Sequence, residues 1–439
     1  MTALAHTTDS PSVGTGNDSS RELIRGSVWV ILSVVVGAMT SAAFWLLAAR
    51  LHPSSDVGRA SGLFTSVLFV CFVCGLGLPV AMSRFAGQPR RSSTSLFTWV
   101  LLVSAATSSV GAIVYLNVVD SPSADVVVRL GWRGSAVFAA TAAGGALTLL
   151  VDVRLMAARR WGCMFARVLA VGVCQLGLLV SFDAIAATDL WLFVAAAGPI
   201  AASGFLGVTI LPRLIGDGYR MRPTPTDAGS VLRFASVNYV ATLASEGPRF
   251  VLPVLVLVNV APSTNANFYV AWSVVAVAML VPTTLGQVLL VEGSRGDAAP
   301  IQPVIAVAAV GAGAMACCWL AAFALQRLVP LLYGPDYRSA GRLLPVLLAA
   351  GVPWALTSVA LADARVRQDH WATLLTTFVL SASVLAPAAV LVPRYGLAGA
   401  SWPWVFGNLI AASVGLYFLW TRRMSAAPRD GFATLRDPG

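Results

Sequence analysis

The sequence contains no lysine and only three histidines, and its charged residues make up just 11% of 439 positions. A soluble globule of that length needs far more polar surface, so the shortage of charge excludes one. Long polar connections are missing as well. No loop between apolar stretches exceeds about 20 residues, which leaves no room for a soluble catalytic domain. A basic arm is also absent: the net charge is +10 and all 29 basic residues are arginine, but they are scattered among short loops. That scatter excludes a nucleic-acid surface. The six cysteines, Cys71, Cys74, Cys163, Cys174, Cys317 and Cys318, lie within apolar stretches, where neither a disulfide framework nor a zinc site belongs. Cys71-x-x-Cys74 reads as a small-residue helix face.

What the chain has is hydrocarbon. Hydrophobic residues make up 57% of it, and the mean hydropathy is +0.79. Apolar stretches of roughly 20 residues recur throughout, the length an α-helix needs to cross about 30 Å of hydrocarbon. They predict spans at 28–49, 60–80, 96–119, 134–158, 165–187, 190–211, 232–258, 268–290, 301–325, 343–361, 371–392 and 398–420. The fold class is therefore all-α, a polytopic membrane protein of about 12 transmembrane helices in two six-helix bundles. Residues 21–212 form the first bundle and 232–420 the second, joined by a cytoplasmic linker, 213–231, that carries Pro223 and Pro225. Residues 1–20 read as a disordered tail without an apolar core, and 421–439 as a second cytoplasmic tail.

The arginines report topology. With the N-terminus inside, 20 fall on the inner side and 8 on the outer, with Arg249 within a span. That asymmetry fits the positive-inside rule for an inner-membrane protein with both termini cytoplasmic. Trp29, Trp45, Trp99, Trp132, Trp161, Trp191, Trp371 and Trp420 fall near span ends, where an amphipathic indole is stable. Sliding the second half onto the first by 209 residues pairs Ser27 with Ser236, Pro53 with Pro262, Ser54 with Ser263 and Gly77 with Gly286. Two parallel six-span repeats follow, and transporters commonly place substrate at such an interface.

Several stretches carry a family likeness. Gly26-Ser27 leading to Ala49-Arg50-x-x-Pro53, then Gly58 and Ala60, resembles a first hairpin, and Gly75-Leu-Gly77 followed by Arg84 resembles the end of a second span. Pro248-Arg249 with Pro253 is similar to a seventh span, Tyr333-Gly334-x-x-Tyr337 to the loop before a tenth, and Arg394 to Ala400 to the turn before the last. In that order they resemble the polysaccharide-biosynthesis (Wzx-type) flippases of the multidrug/oligosaccharidyl-lipid/polysaccharide (MOP) exporter superfamily, from about Arg25 to Trp420.

The resemblance implies a non-enzymatic transporter that moves a polyprenyl-diphosphate-linked glycan from the inner to the outer leaflet as two bundles rock about a central cavity. It implies no cofactor, leaves proton and sodium coupling open, and brings membrane lipid, a polysaccharide polymerase and glycosyltransferases into view as partners. A diphosphate-sugar headgroup needs positive charge and hydrogen-bond donors in a wet cleft, and the planar fork of arginine suits phosphate oxygens. Arg249 is the leading candidate, deep in the seventh span directly after Pro248; its structural alternative is an ion pair with Glu246 three residues earlier. Glu246 is a counter-ion or a coupling-proton carrier. Arg25 and Arg84 stand at span ends where a headgroup enters, or simply snorkel. Asn238, Tyr239 and Gln287 line the cleft or bond between helices. Asp152 and Arg154, near the inner end of the fourth span, read as a local charge pair or inner-surface contacts, with a cavity role as the alternative, and Pro79, Pro199, Pro253 and Pro282 as kinks. The short outer loops weigh against an enzyme, and SRFAGQPRRSSTS lacks a major-facilitator signature. A cation-coupled multidrug exporter and a non-transporting scaffold of the same fold stay open.

Overall fold

The computed structural model describes residues 16–79, 82, 90–183, 189–215, 228–293 and 301–426. Among them the chain is helical throughout, with no strand. The helices are α1 (Gly16–Leu51), α2 (Ser54–Cys74), α3 (Arg90–Val118), α4 (Pro122–Val128), α5 (Trp132–Ala157), α6 (Trp161–Asp183), α7 (Asp189–Ile215), α8 (Ala228–Asn259), α9 (Pro262–Ala278), α10 (Leu280–Gly293), α11 (Ile301–Tyr333), α12 (Arg338–Leu348), α13 (Gly351–Val366), α14 (His370–Tyr395) and α15 (Leu397–Ala426). Eleven spans are long and apolar enough to cross a membrane, and a twelfth comes from Pro335–Leu348 and Gly351–Val366, which meet at a 41° bend. The chain is thus a multi-pass membrane protein. Large apolar side chains such as Val110, Val118 and Leu331 face outward, as lipid contact requires.

The helices sort into α1–α7 and α8–α15, each packed mainly against its own set. In lipid, van der Waals fit between small residues draws helices together. The α5–α7 contact shows this: a Cβ built on Gly204 would sit 2.1 Å from the Gly144 carbonyl oxygen, so the two backbones touch.

Polar groups reinforce the first bundle. Arg167 on α6 donates from Nε and Nη2 to the Asp152 carboxylate on α5, at 3.0 and 2.5 Å, and from Nη1 to Ser203 Oγ on α7 at 3.0 Å. Asp152 therefore pairs with the next helix and not with Arg154, because residues two apart on a helix do not face each other. Arg154 lies with its guanidinium 5.7 Å from the Phe97 ring. Removing one partner of a mostly buried pair strands the other charge, at a cost of about 3–5 kcal/mol. Arg167→Ala is expected to lower the thermal unfolding midpoint of the purified protein markedly, and Asp152→Asn in that background to restore part of it.

Spans one and three to seven lie close to their expected positions, whereas the second, expected at 60–80, is Ser54–Cys74, begun after Pro53 and ended at Gly75, and further differences follow. The eighth begins at Pro262, the ninth continues to Tyr333, and the tenth is the bent pair. The connection after α3 holds the short helix α4, capped by Ser121 Oγ accepting from Ala124 N at 3.2 Å. Most of the expected 213–231 linker lies outside the described residues, as do 1–15 and 427–439 of the expected tails; Gly16–Ser20 instead open α1 and Thr421–Ala426 close α15.

Candidate functional site

The face bearing the α1–α2 and α8–α9 turns is sealed where the bundles meet. α2 packs against α9 so closely that a Cβ on Gly58 would fall 1.7 Å from the Pro262 carbonyl oxygen. Asn265 Nδ2 donates to Gly58 O at 2.9 Å. Arg50, at the end of α1, donates from Nε and Nη2 to the Leu332 and Leu331 carbonyls. These are last-turn oxygens of α11, where a helix end carries negative partial charge and favours a cation.

Beneath this seal lies a cavity of about 750 Å³ between the bundles. The first bundle contributes Met39, Ser41 and Trp45 from α1 with Thr65 and Leu68 from α2; the second contributes Arg249, Phe250 and Pro253 from α8, Tyr269, Trp272 and Ser273 from α9, and Cys318 and Leu325 from α11. Arg249 is the one charged side chain among the described lining residues.

Why Arg249 sits there follows from α8. Pro248 has no N–H, so the Ala244 carbonyl one turn earlier loses its helical donor. Ser381 on α14 supplies the replacement, its Oγ donating to Ala244 O at 2.6 Å. In hydrocarbon a proline within a span is tolerated when a neighbour satisfies the freed carbonyl in this way. Immediately after this break, Arg249 Nη1 lies 3.7 Å from Glu246 Oε2, with the two side chains 32% and 34% exposed. Neither is sealed in dry packing, and the pair is loose. Glu246 also lies within electrostatic reach of Arg365 near the end of α13.

The other expected site residues are dispersed. Tyr239 lies at the seam, its hydroxyl donating to Val73 O of α2 across the bundles. Nearby, Phe72 and Phe250 stack with centroids 4.4 Å apart. Gln287 is exposed on α10 and is not part of the cavity wall. The side chains of Arg25 and Asn238, and all of Arg84, lie outside the described residues. Trp45 corrects an expectation: it is 3% exposed, in contrast to Trp132 at 77%, and meets Tyr269 across the bundles at 4.8 Å. It is cavity wall and core, not an interfacial anchor. The aromatic wall and the Arg50 clamp were not anticipated from sequence; their only trace there was a Trp and a Tyr within apolar runs and an Arg at a span end.

No family model and no curated protein sequence matches the chain. Solved structures do. The lipid II flippase MurJ in an inward closed conformation aligns with a TM-score of 0.68 at 10% identity, covering 93% of this chain and 94% of that one. The chain has the MATE/MurJ-like fold. An inward-facing multidrug resistance MATE transporter of the MOP superfamily aligns at 0.64 and 15% identity, over 90% of this chain and 98% of that one. An outward-facing MATE transporter scores 0.53 at 14% identity, over 93% and 96%.

Proposed function

We propose that the chain is a flippase that moves a polyprenyl-diphosphate-linked oligosaccharide across the cytoplasmic membrane by alternating access. The observation that carries this reading is the sign of the charge in the inter-bundle cavity: a guanidinium, with no carboxylate on the same wall among the described residues. Glu246 lies 3.7 Å away but is not part of this wall, so the guanidinium is the charge that faces the cavity, and its local field favours an anionic phosphate over a cationic drug. The aromatic rings give sugar C–H faces an apolar surface, while the lipid tail stays in the bilayer. With the termini cytoplasmic, the sealed turn face is the outer one, and the headgroup enters from inside. Coupling to protons or sodium, and work beside a polymerase and glycosyltransferases, belong to the same reading.

The test is genetic. Depleting the protein is expected to remove surface glycan and to accumulate lipid-linked oligosaccharide in the inner leaflet, with drug susceptibility unchanged. Drug hypersensitivity with intact glycan would instead establish the multidrug exporter. Loss of neither would leave a scaffold.

A further inference from the structure

The second bundle encloses another, much smaller cavity of about 20 Å³, whose wall includes Ser245, Glu246, Arg249, Trp272, Trp354 and Trp404. Arg249, Trp272 and Ala276 belong to both cavities and so form the partition between them. The indole Nε1 atoms of Trp354 and Trp404 are buried and meet no acceptor among the described residues. Within a span no bulk water reaches such a group, and an unmet buried donor costs roughly 1–3 kcal/mol. Both tryptophans line the same cavity, so one small acceptor seated in it can meet both donors.

Size and chemistry narrow the choice. A water needs roughly 10–15 Å³ of space for its centre and two to four polar partners, so this cavity admits one water and not two. Indole N–H groups only donate. The occupant must therefore accept, which rules out a metal ion between them. Glu246 and Arg249 stand together on the wall, so it carries no net positive charge that would hold a halide in place of water. We propose that the cavity is a binding site for a single water molecule, which accepts from Trp354 and Trp404 and donates to the Glu246 carboxylate.

The consequence reaches the neighbouring site. A carboxylate held by this water stays on the second bundle's side of the partition and does not require both arms of the guanidinium. Arg249 keeps its 3.7 Å contact with Glu246 and has a free edge toward the inter-bundle cavity. Glu246 is in this sense a positioning residue. The water site stands on the second bundle alone and does not depend on what the protein transports.

The test uses the full chain in lipid at a resolution that shows ordered water. One peak is expected within about 3 Å of both indole nitrogens and of a Glu246 oxygen, unchanged when bromide replaces chloride. An empty cavity, or a peak that takes on an anomalous bromide signal, overturns the proposal. A second measurement exchanges Trp404→3-benzothienylalanine, which keeps the ring shape and loses the N–H. If a water is bound there, the exchange lowers the thermal unfolding midpoint; an unchanged or raised midpoint, as expected from deleting a donor that had no partner, overturns it.

Discussion

Arg249→Ala is expected to abolish the proposed glycan export while leaving the protein in the membrane at normal abundance. Charge-assisted hydrogen bonds contribute about 1.5–3 kcal/mol each, and about 1.4 kcal/mol corresponds to tenfold in affinity. Loss of even one such bond at the upper end weakens headgroup binding roughly a hundredfold. Arg249→Lys keeps the charge and loses the planar fork, so it retains a small fraction of export. The measurements are surface glycan in cells and, with purified protein in liposomes, the rate at which a lipid-linked oligosaccharide becomes accessible on the far leaflet. Folding is a minor concern, because both side chains of the Arg249–Glu246 pair are about one-third exposed, where an ion pair contributes little to stability. Near-normal export by the alanine variant removes Arg249 from the mechanism, and with it the argument from cavity charge.

Gly58→Ala is expected to have an effect of comparable size for a different reason. Its methyl group would lie 1.7 Å from Pro262 O and 2.4 Å from the carbonyl carbon, both backbone atoms that no rotamer change can move aside. α2 and α9 must separate, and the Arg50 clamp and the Asn265–Gly58 bond are lost with them. The variant rests with the turn face open, so export falls to background although the cavity is chemically intact. Spin labels at Leu51 and Leu328, exposed near the ends of α1 and α11, report this directly as a longer distance than in the parent. An unchanged distance together with normal export would show that the seam tolerates a side chain and that its closeness is not needed for the cycle.

Much of the architecture was legible because hydrocarbon imposes a length and a composition on each span. The misread spans fail for identifiable reasons. The eighth starts six residues earlier than expected because Asn265 and Asn267 look like loop residues. Both are in fact buried: Asn267 donates to Ser263 O and Asp336 O and accepts from Ala340 N, tying α9 to the start of α12. Gln326 and Arg327 similarly hid the last turns of α11. The tenth span is apolar enough throughout, and hydropathy does not register a bend between Leu348 and Gly351. Arg249 stood out because an ion at membrane depth is rare. Trp45 did not, because an indole near a span end looks the same whether it faces headgroups or a neighbouring bundle; only the position of Tyr269 distinguishes the two. The partner of Asp152 was hidden for the same reason, since Arg167 lies 15 positions away and is brought close by the α5–α6 turn.

The bond from Ser381 to Ala244 has a mechanical implication. The rung missing at Pro248 is hung on a different helix, so α8 cannot swivel at that point as a free joint: its upper stretch, with Arg249, drags α14 along or tears the bond. A motion that carries the guanidinium from one side of the bilayer to the other must therefore turn the two helices as one blade, and the swing of a single proline-jointed arm is the less favourable path.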